Sequence, residues 1–211
     1  FVNKKISIVS HKVQTTQQSI RGILNKGNTQ LIFIDTPGVV EFRKHFSKNF
    51  SRSITHNEFL CDFNLFILDV TKNINDKELF LINKLIKLFK INFLVLNKID
   101  LIEKKKLQNL SKTFNLKYDF SHTFMISAKK KMGILTLLKK VIELAPERNW
   151  IYKKKNFLTD QSLNFQISEI TREKIFQLIN KEIPYTVEIR TSMNLDKKLT
   201  MINQRIFVLK D

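Results

Sequence analysis

Two short polar motifs end apolar runs at matching places in this chain. Residues 31–34 lead into Asp35-Thr36-Pro37-Gly38, and residues 93–96 lead into Asn97-Lys98-Ile99-Asp100. Short apolar and β-branched runs bounded by turn residues read as buried strands. A polar motif where such a strand stops lies at the carboxyl edge of a sheet, which is where open α/β sheets bind ligands. The other runs agree. Residues 21–25 and 30–34 read as paired strands around the turn Lys26-Gly27-Asn28, and 65–70 and 124–126 as further strands. Between them, 45–59 has helical length, and 107–114 and 134–144 read as helices, the last stopping near Pro146. Asp76 is expected to cap a helix with Leu79, Leu81, Ile82, Leu85, Ile86 and Phe89 on its apolar face. Strands alternating with helices at this spacing predict an α/β fold with a mostly parallel sheet flanked by helices.

The residue types say what the loops read. A carboxylate at a strand end, Asp35, can hold a hydrated Mg²⁺ through its inner waters, because that ion keeps several waters. Gly38 lets backbone approach a terminal phosphate closely, and Pro37 stiffens the approach. Asp100 can accept two hydrogens from the ring N–H and exocyclic amine of guanine. Adenine offers neither in that arrangement, so selectivity follows from the cost of an unpaired buried carboxylate. Asn97 is expected to bond the opposite edge of the base and tie the loop down, with the stem of Lys98 along the base plane. Ser127-Ala128-Lys129 follows the run 124–126, and its backbone N–H groups suit the guanine carbonyl. Thr15-Thr16 lies upstream of Asp35, and Thr16 is the expected hydroxyl ligand for Mg²⁺. The ligand these loops describe is GTP with Mg²⁺, read by Asp35, Thr36, Pro37, Gly38 and Val39, by Asn97, Lys98, Ile99 and Asp100, and by Ser127, Ala128 and Lys129.

The stretch from Ile6-Ser7-Ile8-Val9-Ser10 through Gln14-Thr15-Thr16, then Arg21-Gly22-Ile23 and Asp35-Thr36-Pro37-Gly38, resembles the switch region of the Era GTPases, ribosome-assembly factors of bacteria and organelles. The likeness continues in Leu158-Thr159-Asp160-Gln161-Ser162, Ser168-Glu169-Ile170-x-Arg172-Glu173-Lys174 and Glu182-Ile183-Pro184-Tyr185, which resemble the start of that family's RNA-binding KH domain. The resemblance implies a P-loop NTPase-like domain over 1–147, a linker over 148–160 and a partial α+β KH domain over 161–211. It also implies GTP hydrolysis, binding to small-subunit ribosomal RNA and a pre-30S-type particle, peripheral membrane association, a monomer, and a place in the bacterial cytoplasm or an organelle matrix. In the second domain, 168–181 is expected to be a helix with Ile170, Ile175, Phe176, Leu178 and Ile179 inward, followed by strands over 185–191 and 199–209. No residue takes a catalytic role. Many GTPases place a water-orienting Gln after the Asp-x-x-Gly loop, and here that position is Val39, so the resemblance implies slow hydrolysis with water placed by backbone or a partner.

Charge and composition limit the alternatives. The net charge is +18, and residues 1–150 carry 26 basic against 12 acidic residues while 151–211 carry 11 against 7. Such a balance attracts nucleic acid without reading sequence, and most of it lies on the nucleotide side. The lysine runs 104–106, 129–131 and 153–155 read as solvated faces. Trp150 and Tyr152 beside the last run could stack bases, but such aromatics more commonly pin a linker to its domain. One cysteine, Cys61, excludes an internal disulfide, and with four His there is no zinc spacing. No apolar run has the length of a membrane-spanning helix. Two other readings stay open: a non-catalytic remnant that binds RNA weakly by charge, and a different small GTPase.

The family's phosphate-binding loop, G-x-x-x-x-G-K-[ST], cannot be built from Gly22, Gly27, Gly38 and Gly133, the 4 glycines of the chain. By register it precedes residue 1, and no G-x-x-G clamp follows Gly133. The chain therefore reads as an internal segment of a longer protein or as a truncated or decaying gene. The missing loop supplies N–H donors, a lysine and a Mg²⁺ hydroxyl. Losing several charge-assisted bonds of about 1.5–3 kcal/mol each weakens binding by many powers of ten. These 211 residues are accordingly expected to bind GTP without useful affinity. Calorimetry with GTP and Mg²⁺ checks this, and a micromolar dissociation constant would overturn it.

Overall fold

The computed structural model describes residues 6–7, 20–35, 61–153, 157–179, 187–195 and 200–208. Thr16, Thr36, Pro37, Gly38 and Val39, the expected helix over 45–59 and the motif over 182–185 lie outside them. The chain divides into two compact units, Lys48–Asn149 with Phe1, and Val2–Ser47 with Trp150–Asp211.

The first unit is built on a three-stranded parallel sheet. β3 (Asn64–Asp69) pairs with β4 (Asn92–Asn97), and β4 with β5 (His122–Ile126). β4 lies at its centre, and Phe93, Leu94, Val95 and Leu96 have no exposed surface, as a parallel strand covered on both faces requires. Side chains alternate across the sheet. Leu94 and Leu96 join Phe66, Val70, Ile82, Leu107, Phe114 and Tyr118 in one apolar cluster. Phe93 sits among rings instead, at 5.6 Å from Phe63, 5.4 Å from His122 and 5.5 Å from Phe124. Each such buried side chain contributes roughly 1.5–3 kcal/mol.

Helices α1 (Asp76–Ile86) and α2 (Lys104–Lys117) supply Ile82, Leu107 and Phe114 to that cluster. Helix α1 starts one residue earlier in its capping than expected. Asn75 Oδ1 accepts from Glu78 N at 3.0 Å, while Glu78 Oε2 accepts from Asn75 N at 3.0 Å. This is a reciprocal capping box, so Asn75 is the cap and Asp76 the first helical residue, placed where a carboxylate meets the positive helix end. Phe89 lies beyond the end of α1. Helix α2 is longer than the expected 107–114, because the lysines 104–106 continue the helix on its exposed side. Helix α3 (Ile134–Glu143) buries Leu137, Leu138 and Val141.

The second unit contains the hairpin β1 (Ile20–Lys26) and β2 (Thr29–Asp35), helix α4 (Leu163–Leu178) and the antiparallel pair β6 (Val187–Leu195) and β7 (Thr200–Val208). Gly27 has φ 58 in the two-residue hairpin loop, where φ above zero is required. The hairpin, assigned from sequence to the 1–147 domain, is bonded here to the stretch after Trp150. Ile23 N donates to Leu158 O at 2.8 Å. Arg21 pairs with Asp160 at 2.7 Å, and Tyr152 OH donates to the same carboxylate oxygen at 3.1 Å. Gln30 and the Tyr152 backbone exchange two bonds of 2.9 Å, and Trp150 Nε1 donates to Asn28 O at 2.9 Å. Trp150 and Tyr152 thus pin the connecting segment down.

Helix α4 corrects the expected inward face. Phe176 is buried as expected, but Ile170, Leu178 and Ile179 are exposed, and the other buried positions are Ser168, Glu169, Arg172 and Glu173. The buried positions still follow helical spacing, so it is their chemistry that departs from an apolar stripe. The polar ones make bonds that offset part of their desolvation. Arg172 donates to both oxygens of Glu169 at 2.7 and 2.8 Å. Ser168 Oγ lies 2.6 Å from Thr191 Oγ1, and Gln204 joins Thr171 and Thr191 at 2.8 and 3.0 Å. The helix also begins and ends earlier than 168–181, because Ser162 caps it by accepting from Phe165 N.

Gly133 closes the loop after β5 with φ 72, and a Cβ there would meet Met125 O at 2.3 Å. Gly133→Ala is therefore expected to cost about 1–3 kcal/mol from backbone strain alone. A lowered denaturant midpoint, followed by circular dichroism, checks it.

Candidate guanine-nucleotide site

The parallel register lines up three strand ends. Asp69 of β3 stands beside Asn97 of β4, and Asn97 beside Ile126 of β5. The loops leaving these ends therefore emerge side by side, and side chains lock them to one another. Asn97 Oδ1 accepts from its own loop, Lys98 N at 2.8 Å, and from the next, Ala128 N at 3.0 Å. Lys98 takes the left-handed conformation, φ 69 and ψ 34, turning the chain into the short 3₁₀ turn Ile99–Leu101 that carries Asp100. The Lys98 ammonium lies 2.7 Å from Asp69 Oδ2, and the other oxygen of Asp69 accepts from Thr71 Oγ1 at 2.6 Å and Thr71 N at 3.1 Å.

The loop after β5 is equally constrained. Ser127 is wholly buried, exchanges two backbone bonds with Met132, and its hydroxyl accepts from Lys130 N at 3.1 Å. The same hydroxyl bonds Asp100 and holds that carboxyl below the usual carboxylate range. Burial works against the shift, and the Lys130 ammonium adds to it, 3.6 Å from Oδ2. At Asp69 burial pushes the carboxyl up, but bonds from Lys98 and Thr71 outweigh it and leave it below its ordinary value. Asp100 is thereby an acceptor-only group at neutral pH, with a side chain 7 % exposed, as two donors on a base edge require.

Of the expected base-reading residues, the fold brings Asn97, Lys98, Ile99 and Asp100 together with Ser127, Ala128 and Lys129. The Ser127 and Ala128 N–H groups are engaged by Met132 O and Asn97 Oδ1. Among the described residues, that leaves the Lys129 N–H as the unpaired donor of the three. Asp35 ends β2 in the other unit with its residue exposed, a setting that suits a hydrated Mg²⁺. The sequence reading missed Asp69, Thr71 and Lys130. A carboxylate closing the run 65–70 was a visible signal for Asp69; nothing local marked Lys130 among the lysines 129–131.

The family model of the elongation factor Tu GTP-binding domain matches residues 3–147. The chain is 34% identical over 213 residues to GTPase Era of Bradyrhizobium sp. (strain ORS 278), covering 100% of this chain and 69% of that one. To GTPase Era of Ehrlichia canis (strain Jake) it is 34% identical over 215 residues, covering 100% and 72%. Its fold matches a crystal structure of Era in complex with MgGDPNP and nucleotides 1506-1542 of 16S ribosomal RNA, with TM-score 0.86 and 27% identity over 99% of this chain and 72% of that chain. It also matches Aquifex aeolicus Era bound to GDP and AlF4⁻, with TM-score 0.85 and 28% identity over 97% and 71%. With the expected loops side by side at the strand ends and a third of its residues shared with these relatives along its whole length, the chain belongs to the Era family of GTPases.

Proposed function

We propose that this chain does the base-reading and RNA-binding work of an Era-type switch, which binds GTP with Mg²⁺, hydrolyses it, and docks on small-subunit ribosomal RNA during subunit assembly. The observation that carries the reading is the lock between two loops, Asn97 Oδ1 to Ala128 N and Asp100 to Ser127, which sets an ionised carboxylate at a strand end with an open donor beside it. Mg²⁺, when bound, neutralises phosphate charge. From this chain Asp35 would hold its water shell, with Thr16 as the expected hydroxyl ligand. Hydrolysis is slow on this reading, because Val39 cannot orient water. Small-subunit RNA is the partner of the Era crystal structure, and the family-like second domain supports the same partner here. The particle is of pre-30S type, the protein acts as a monomer in bacterial cytoplasm, and any membrane association is peripheral. No helix among the described residues is long and apolar enough to cross a membrane.

Joining the strand and phosphate-binding loop of an Era relative ahead of Phe1 should give guanine-selective binding, and Asp100→Asn should then reverse it toward xanthine. Asn offers one acceptor and one donor where the carboxylate offers two acceptors, and xanthine carries a carbonyl where guanine carries an amine. Competition against labelled GTP measures the change, and a variant that still prefers GTP over XTP would refute the assignment of Asp100.

Truncation after Ser162 keeps Tyr152, Leu158 and Asp160 on the hairpin while removing α4, β6 and β7. It should abolish preference for a 3′ segment of small-subunit ribosomal RNA and leave salt-sensitive binding of about 10⁻⁴–10⁻⁶ M. Filter binding over a salt series, with a scrambled RNA beside it, checks this; a truncated chain that keeps the preference would locate the reader elsewhere.

A further inference from the structure

The end of β3 carries a carboxylate with more bonds than its own turn needs. Backbone already closes that turn, with Lys72 N donating to Asp69 O at 3.1 Å, and Val70 N donates to Asn97 O at 3.1 Å, which keeps the end of β3 beside the loop after β4. Thr71 takes one carboxylate oxygen of Asp69, through its hydroxyl at 2.6 Å and its N–H at 3.1 Å. The other oxygen goes to a neighbour in space and not in sequence, the Lys98 ammonium at 2.7 Å. Thr71 thus aims the carboxylate, and the carboxylate aims the lysine.

Lys98 is held at both ends. Its backbone takes φ 69 and ψ 34, a conformation uncommon outside glycine, and its N–H donates to Asn97 Oδ1 at 2.8 Å. Its ammonium is tied to β3. The methylenes between the two ties have little freedom left, yet the side chain is 47 % exposed, so part of the stem stays open to solvent. An unheld lysine samples many rotamers, and ordering it is a cost that binding has to meet. Stability does not account for the pair, because an ion pair with its lysine half exposed adds little. What the pair does is fix the course of the stem before anything binds.

We propose that Asp69 is a positioning residue for guanine-nucleotide binding: it holds the Lys98 stem stretched in advance, as an apolar surface for the face of the base, while Asp100 meets the base edge. The inference rests on the reading of Asn97-Lys98-Ile99-Asp100 given above, and it assigns a role to a residue outside that motif, with Thr71 supporting it from behind. Asp69 touches no ligand on this account and acts through Lys98. Its loss should therefore change how the base packs and how tightly, with the fold intact.

The test is nuclear magnetic resonance on the isotope-labelled 211-residue chain, titrated with millimolar GMP and, separately, AMP. GMP lacks the β- and γ-phosphates that the phosphate-binding loop reads, so its binding leans on the residues present here. A purine ring stacked on the Lys98 methylenes moves their proton signals upfield. GMP should produce that displacement together with shifts of the Asp100 and Lys129 backbone amides, and AMP should produce neither. In Asp69→Asn the methylene displacement should be lost and the GMP dissociation constant should rise about 2- to 10-fold, the scale of ordering one long side chain, while the Asp100 and Lys129 shifts persist. Thr71→Val keeps the charge and removes one bond to it, so its effect should be smaller and of the same kind; it carries the test if Asp69→Asn loses the native β4 signals. In a Lys98→Met background Asp69→Asn should have no further effect, because a residue that acts through the ammonium is silent without it. Additive losses in that cycle would mark Asp69 as merely structural and overturn the proposal. An Asp69→Asn chain that keeps the full displacement and affinity would overturn it too, as would an unsubstituted chain in which GMP moves Asp100 and Lys129 but not the Lys98 methylenes; these outcomes leave the reading of the loops standing. Equal response to GMP and AMP, or no response to either, would remove that reading and the proposal with it.

Discussion

Burial of β4 on both faces is the constraint from which the arrangement of the candidate site follows. A strand with no exposed apolar surface from Phe93 to Leu96 can satisfy its backbone only by pairing on both sides. A one-residue slip would carry Leu94 and Leu96 out of the α1 and α2 cluster and push Phe93 out of its ring of aromatics. Register is therefore set by packing, and register puts Asp69, Asn97 and Ile126 in one row. The loops need only short side chains to reach one another, and Asn97 does so with a single oxygen. Gly133 completes the arrangement by letting the chain after β5 pass close to Met125 O.

Electrostatics at that edge run against the charge of the molecule. A chain of net charge +18 keeps two carboxylates ionised at its strand ends, each against a lysine, Asp69 with Lys98 and Asp100 with Lys130. Pairs whose lysine is about half exposed add little stability. Their effect is positional: Lys98 is drawn toward β3, and Asp100 stays ready to accept from a base.

Among its described residues the second unit carries a dense set of polar contacts. Its helix buries an Arg172–Glu169 pair and a hydroxyl network reaching β6 and β7, and these bonds offset the desolvation of the groups they join. The hairpin between the two expected switch segments is bonded to the residues leading into that helix. Arg21, Tyr152 and Asp160 form the joint, and burial and the bond to Asp160 keep the Tyr152 phenol protonated.

The sequence alone determined the kind of fold and the placing of the candidate loops at strand ends, because those depend on local facts: apolar runs and turn residues. Strand positions were legible to within a residue or two for the same reason, except that β6 runs four residues past its expected end. Legibility failed where partners come from distant segments. Nothing near Ile170 or Leu178 says that they face outward, since the choice is made by Thr191 and Gln204 on strands that follow. Nothing near Arg21 foretells Asp160. Periodicity tells a helix which residues share a face, but only tertiary packing decides which face is buried and what chemistry it meets, because burial is a property of the neighbours that the fold brings in.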